Sequence, residues 1–175
     1  MNKKVLIAAS AFVLILYFFC ATFYRNIIFE PPSLFHAWAQ ADRMALAICY
    51  YDNRMNFFKP ATLAQFSKEG VVGVEFPIQA YMAAAIAKLF GRNHISFIFR
   101  LETTIISCIG LLFLFLAAYK RTKDFILSLV APLFIFCSPI FIYYTCNYLP
   151  DTAGTSMAFI GFYFVLNYLE QRKTK

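Results

Sequence analysis

Two acidic side chains in polar segments of an otherwise apolar chain are the first candidates for chemistry. Asp42 lies in the long polar stretch from Pro31 to Pro77, and Asp151 follows Pro150 in a short polar segment much later in the chain. A carboxylate can accept a proton from a reacting group, and two carboxylates brought together can bind a divalent cation. The residues also allow a plainer interpretation, in which Asp151 only adds negative charge at a helix N-terminus.

Further charged and aromatic groups accompany these carboxylates. Trp38 precedes Asp42 by one helical turn, Arg43 follows it directly, and Glu75 lies just before Pro77. Arg100 lies about 20 residues before Lys120, or roughly 30 Å along a helix, which predicts a position at the outer boundary of a membrane. There it could meet a phosphate group or act as a snorkelling anchor, and the residues alone leave both functions open.

The elements that must position these residues are membrane helices. The chain is 61% hydrophobic and 19% aromatic, whereas soluble domains are usually about 45–50% apolar. The net charge of +7 does not indicate nucleic acid, because the basic residues cluster at the ends of apolar runs, where they orient membrane helices. The five cysteines form no CxxC pair, and two distant histidines do not predict a His-based metal site.

The hydrophobic runs predict an all-α membrane protein with about four transmembrane helices. The first run is too long for the apolar core of a signal peptide, so an uncleaved span is preferred. Lysine and arginine clusters near the ends of these runs predict cytoplasmic N- and C-termini and a long outer loop, residues 25–93. Pro132 and Pro139 are expected to kink the third span. The expected spans are residues 5–24, 94–119, 125–146 and 152–169.

The outer loop is predicted to carry amphipathic juxtamembrane helices. One is expected over residues 34–51, with an apolar stripe that lies against the membrane, and a second, with its own stripe, over residues 77–90. The first stripe comprises Leu34, Trp38, Ala41, Ala45 and Ile48, and the second comprises Ile78, Tyr81, Met82, Ala85 and Leu89. A short helix is expected from Thr62 to Lys68, between a loop and a flexible turn that Gly70 and Gly73 flank. These helices would hold Asp42 and Glu75 just outside the bilayer.

The order of motifs along the chain resembles a known family. The motifs are Trp38-Ala39-Gln40-Ala41-Asp42, Asn56-Phe57-Phe58-Lys59-Pro60, Glu75-Phe76-Pro77, Phe99-Arg100-Leu101 and Pro150-Asp151-Thr152. In this order they resemble the N-terminal part of C-type fold membrane glycosyltransferases that use polyprenyl-phosphate sugars. That group includes the dolichyl-phosphate-mannose protein mannosyltransferases (glycosyltransferase family 39) and the bacterial aminoarabinose lipid A transferases.

The resemblance implies a reaction, its site and its surroundings. Asp42 would be the catalytic base of an inverting sugar transfer, and Asp151 would bind a divalent metal ion, with Asp42, or the acceptor. The donor would be a polyprenyl-phosphate sugar, the acceptor a lipid, glycan or protein, and the location the outer face of a bacterial inner membrane. No other cofactor and no nucleic acid are expected. The implied substrate-binding residues are Trp38, Gln40, Arg43, Glu75 and Arg100.

Two departures from the family pattern qualify this interpretation. The mannosyltransferases carry Asp-Glu at the catalytic position, whereas this chain has Asp42-Arg43. Members of the family are also several times longer, so the chain is expected to be the N-terminal fragment of a longer enzyme. The alternative hypothesis is a non-catalytic multi-pass membrane protein, either an assembly partner or a small carrier.

Overall fold

A computed structural model describes residues 3–53, 55–63 and 70–173 of the chain. Across these residues the secondary structure is helical apart from one isolated antiparallel bridge between Ala61 and Val71. This confirms the predicted all-α class. The short helix expected over Thr62 to Lys68 falls largely outside the described residues. The α-helices are α1 (Lys3–Tyr24), α2 (Ala37–Asp52), α3 (Ile78–Phe90), α4 (Ile95–Thr122), α5 (Phe125–Phe136), α6 (Pro139–Thr145) and α7 (Asp151–Lys173).

Two helices are long and apolar enough to cross a membrane. They are α1, with 22 residues, and α4 together with its preceding turn, which form one 31-residue segment from Arg92 to Thr122. At 1.5 Å per residue both exceed the roughly 30 Å of a hydrocarbon core. They coincide with the predicted spans over residues 5–24 and 94–119, and they indicate a membrane protein.

The third and fourth predicted spans are less regular. Helices α5 and α6 are bent by 74° at a short break, so the pair is either a broken span or a re-entrant loop. Pro139 begins α6, because a proline at the first helical position loses no internal hydrogen bond, whereas Pro132 lies within α5. Helix α7 has 23 residues but is less apolar than α1 and α4. The described helices thus support two spans, or three if the bent pair counts as one.

The chain divides into two compact units. One, here called the bundle unit, comprises Met1–Arg25, Thr104–Thr145 and Asp151–Lys175. The other, the loop unit, comprises Asn26–Thr103 and Cys146–Pro150. Helix α4 contributes its first turns to the loop unit and the remainder to the bundle unit, so each unit contains part of a membrane-spanning segment.

Aromatic rings and small residues hold the bundle unit together. The ring of Phe12 stacks on Phe115, with centroids 4.6 Å apart, and the sulfur atoms of Cys20 and Cys108 lie 3.6 Å apart. These two contacts make α1 antiparallel to α4. At Gly110 a Cβ atom would overlap the Cβ atom of Ser156, so α4 and α7 approach closely where their side chains are small, as is common between membrane helices.

Ion pairs join two helices at one end of the bundle unit. Lys120 and Arg121 of α4 both pair with Glu170 of α7, each at 2.7 Å. Because Gly110 also meets Ser156, α4 and α7 run parallel. The antiparallel α1 brings its own basic start, which includes Lys4, to this same end. The basic residues that the sequence assigns to one side of the membrane therefore lie at one end of this unit.

The core of the loop unit combines an interface between α2 and α3 with buried residues from the start of α4 and with Tyr148. The contacting face of α3 consists of Ala80, Ala83, Ala84 and Ala87, whose small side chains let the helices approach closely. On α2 it includes Leu46, Ala47 and Tyr50. Ala45, which the sequence assigned to a membrane-facing stripe, is buried, whereas Met82 and Leu89 of the stripe predicted for α3 are exposed. Helical periodicity identified apolar faces, but burial followed the smallest side chains.

Candidate functional site

Asp42 lies on the exposed part of α2, at the edge of the α2–α3 interface. It precedes Leu46 by one turn and Cys49 by two turns, so all three project from the same side of the helix. Leu46 and Cys49 are buried, whereas Asp42 is exposed. The interface therefore does not extend to Asp42, and the carboxylate of Asp42 can be reached from outside the protein.

An ion pair lies directly beside Asp42. The guanidinium of Arg43 donates to Oε2 of Glu75, which connects α2 to the segment before α3. At the other end of these helices Arg92 donates to Asp52 over 3.0 Å. One ion pair joins the first half of α2 to the segment before α3, and the other joins the end of α2 to the residues after α3. The two helices therefore run parallel. The structure thus joins two of the predicted site residues, Arg43 and Glu75, and Asp42 directly precedes Arg43 at the same end of the helix pair.

Trp38 and Gln40 lie on the first turn of α2 with opposite environments. Trp38 is exposed, one turn before Asp42. Gln40 is buried, and its Nε2 atom donates to the carbonyl oxygens of Ser33 and Phe35 at 2.8 and 2.9 Å. The side chain of Gln40 therefore holds the preceding loop in place. A substrate-binding function for either residue stays a prediction.

Arg100 is buried within the loop unit, with 2% of its surface exposed. Its Nε atom donates to the carbonyl oxygen of Glu30 and to the Tyr148 hydroxyl, each at 3.1 Å. The other guanidinium nitrogens donate to the carbonyl oxygens of Pro31 and Cys146, and the guanidinium lies 4.6 Å from the Tyr148 ring centroid. These contacts account for the buried charge without a ligand, so phosphate binding at Arg100 stays a prediction.

Asp151 begins α7 in the bundle unit and lines a cavity of about 340 Å³. The hydroxyl of Thr155 donates to the Asp151 carbonyl oxygen at 2.9 Å, and that of Thr152 donates to the carbonyl oxygen of Tyr144 at 3.1 Å. The cavity lies at the bend between α5 and α6. Its other lining residues are mainly apolar: Phe134, Ile135, Ser138, Ile140 and Phe141. It could accommodate an apolar group close to a carboxylate.

The predicted metal site needs two carboxylates that belong to different units. Asp42 is part of the loop unit and Asp151 is part of the bundle unit. Among residues 3–53, 55–63 and 70–173, no group of three or more His, Cys, Asp or Glu side chains is arranged to hold a metal ion. A metal ion shared by Asp42 and Asp151 therefore stays a prediction.

The acidity of Asp52, at the end of α2, is perturbed by its hydrogen-bond partner. The hydrogen bonds from the Arg92 guanidinium hold the pKa of Asp52 below its ordinary value. Because both side chains are substantially exposed, solvent screens the pair and its contribution to stability is small. Asp52 lies on the same helix as Asp42 but outside the candidate site.

Sequence reasoning missed Glu102. This residue lies on α4, two positions after Arg100, and has 7% of its surface exposed. Both of its carboxylate oxygens are buried, with no hydrogen-bond partner among the residues that the structure describes. An acidic residue inside an apolar run is the signal that could have identified it, since such residues are rare in membrane helices and mark functional sites.

Comparisons with known proteins add no assignment. No protein-family model matches the chain, and no match was found among curated proteins or solved structures.

Proposed function

We propose that the chain is a glycosyltransferase module that transfers a sugar from a polyprenyl-phosphate donor to an acceptor at the outer face of a bacterial inner membrane. Asp42 takes a proton from the acceptor's hydroxyl or amine group as that group attacks the anomeric carbon. The bond between this carbon and the phosphate oxygen breaks, polyprenyl phosphate leaves, and the configuration inverts. A general base of this kind contributes typically about 100-fold or more to the rate.

The observation that carries the proposal is the exposed Asp42, which directly precedes Arg43 on α2, whose guanidinium pairs with Glu75. The three residues come from two segments that are distant in the sequence. An accessible carboxylate next to a cationic group suits a base that works beside an anionic substrate. Their unit also includes the first turns of α4, within a candidate membrane span, which suits a lipid-linked donor.

The proposed topology keeps both termini in the cytoplasm and residues 25–93 outside. Its support is the accumulation of basic side chains at one end of the bundle unit, which is the arrangement expected for cytoplasmic ends of membrane helices. Asp151 lies at the other end of α7 from Glu170 and its basic partners. The four-span form of this topology requires the bent α5–α6 pair and α7 to cross the membrane as well.

Asp151 and its cavity are proposed to take part in binding the acceptor. The support is the combination of one carboxylate, two threonine hydroxyls and an apolar wall within one cavity.

The test is sugar transfer by protein expressed from its complete reading frame and reconstituted with a polyprenyl-phosphate sugar. Asp42→Asn is expected to lower the rate about 100-fold or more, because the amide cannot accept the proton. Asp52→Asn is the matched control, since it makes the same change on the same helix. Equal transfer by Asp42→Asn and the unaltered protein, at equal membrane insertion, would exclude Asp42 as the base.

Glu102 favours a second candidate function, a small carrier that moves protons or cations. The support is a buried carboxyl group without a hydrogen-bond partner among the described residues, on a helix that could span the membrane. In vesicles loaded with a pH-sensitive dye, Glu102→Gln would then abolish proton uptake, while Glu170→Gln would leave it intact. Equal uptake by both variants would argue against this function.

A further inference from the structure

The first turn of α2 and the loop before it expose three large apolar side chains within five residues of the sequence. Leu34, Phe35 and Trp38 are 76%, 79% and 72% exposed. We call these three residues the apolar tip. Water-exposed clusters of this kind are unusual and commonly mark binding surfaces. The sequence had assigned a continuous apolar stripe to this helix, but its later members Ala45 and Ile48 are buried and half-buried, so the large apolar side chains of the stripe are exposed only at its start.

The apolar tip is held in a defined conformation. Leu34 and His36 adopt positive φ angles of 63° and 56°, which non-glycine residues rarely do and which cost free energy. The buried amide of Gln40 donates to the carbonyl oxygens on either side of Leu34, those of Ser33 and Phe35. The buried side chain of Gln40 therefore fixes a strained loop, and the backbone geometry of this loop directs its apolar side chains outward.

The segment before the tip is attached to the start of the membrane helix. The ring of Phe29 stacks on Phe97 of α4, with centroids 5.3 Å apart and planes 8° from parallel. Arg100 of α4 donates to the carbonyl oxygens of Glu30 and Pro31 at 3.1 and 3.0 Å. Leu34 follows Pro31 by three residues, so the chain can carry it at most roughly 10 Å from this attachment.

The attachment lies at the expected level of the lipid headgroups. Arg100 precedes Lys120 by 20 residues on one continuous helix, which corresponds to about 30 Å, the thickness of the hydrocarbon core. With Lys120 at one boundary of the core, Arg100 lies at the other. Leu34, within about 10 Å of that attachment, has lipid headgroups and the upper acyl chains within reach.

We propose that the apolar tip inserts into the membrane interface beside α4, with Leu34 and Phe35 among the upper acyl chains and Trp38 at the headgroup level. Tryptophan favours this level because its ring is apolar while its indole N–H can bond to headgroups or water. The bilayer is the favoured occupant because the tip is attached to a helix that could span it. Insertion would hold the start of α2, and therefore Asp42, close to the lipid surface, and it does not depend on the proposed transfer reaction.

The chain offers a direct probe, because Trp38 is its only tryptophan. The experiment places the whole chain in phosphatidylcholine–phosphatidylglycerol nanodiscs and measures quenching of Trp38 by lipids brominated near the carbonyl groups or near the chain ends. We expect blue-shifted emission, roughly halved by the shallow bromines, weakly affected by the deep ones, and little quenched by iodide. Emission typical of water-exposed tryptophan, with strong iodide quenching, would overturn the proposal.

Two matched sets of variants separate lipid insertion from contact with protein. Leu34→Ser with Phe35→Ser should shift Trp38 emission to the red and reduce the quenching by shallow bromines at least twofold. Phe58→Ser, at a phenylalanine that is 89% exposed outside the tip, should change neither. A different result would be blue-shifted emission that no brominated lipid quenches and whose blue shift increases with the number of chains per disc. It would show that a second copy covers the tip, and it would overturn the proposal.

Discussion

The interior of the bundle unit and the α2–α3 core of the loop unit contain different kinds of residue. In the bundle unit, large apolar side chains such as Phe18 and Phe134 are exposed while Ser128 and Ser156 are completely buried. In the loop unit, the α2–α3 core is apolar in the usual sense, with alanines against Leu46 and Tyr50. Where lipid replaces water, hydrophobicity no longer separates the inside from the outside, and close packing of small residues decides which faces meet.

The strongest test of this difference between the units is to enlarge a small residue in the bundle unit. Gly110→Val should destabilise the protein by about 3 kcal/mol, because the new side chain overlaps Ser156 on α7 and neither helix can retreat without losing contacts. Thermal unfolding in detergent, followed by circular dichroism, measures the change. Gly161→Ala is the matched control, since no atom lies within 4 Å of a Cβ there.

If Gly110→Val unfolds at the same temperature as Gly161→Ala, the close contact between α4 and α7 does not exist in the folded protein. A loss confined to Gly110→Val would instead support packing through small residues as the main determinant in this unit.

An equivalent enlargement in the loop unit should have a smaller effect. Ala83→Leu adds three carbon atoms at a completely buried position and should cost about 2 kcal/mol, because overpacking forces α2 and α3 apart. Ala85→Leu, on the exposed side of the same helix, should change the unfolding temperature little. Equal effects of the two substitutions would mean that α3 does not pack on α2 through its alanine face.

The smallest effect is expected from the surface ion pair at the end of α2. Because Arg92 lowers the pKa of Asp52 in the folded state, the pair stabilises the protein above the unfolded pKa of about 3.9. That contribution disappears as the pH falls through the lower folded value. The unfolding temperature should therefore fall less between about pH 5 and pH 3 in Asp52→Asn than in the unaltered protein. Asp42→Asn, which makes the same change on the same helix, is the comparison for this pH dependence. An unchanged pH dependence in Asp52→Asn would contradict the ion pair.

Patterns along the chain predicted most of the helices but only part of the site. The apolar runs identified α1 and α4 within a few residues of their ends, because the length of a span follows from the thickness of the bilayer. Charge and spacing singled out Asp42, Arg43 and Glu75, but not the pairing of the last two, which depends on how α2 and α3 align. The position of Arg100 near one end of its span followed from its spacing to Lys120, but no pattern could bring to it the backbone carbonyl groups that it contacts.

The amino-acid sequence by itself determined the helical class and the presence of membrane spans, since both follow from composition and from the local periodicity of apolar residues. Only the tertiary structure decided which faces meet, that Gln40 and Arg100 hold loops, that Glu102 is buried, and that Leu34, Phe35 and Trp38 remain exposed. The physical reason is that hydrophobicity is a property of single residues. Burial and hydrogen bonding depend on partners that are distant in the chain.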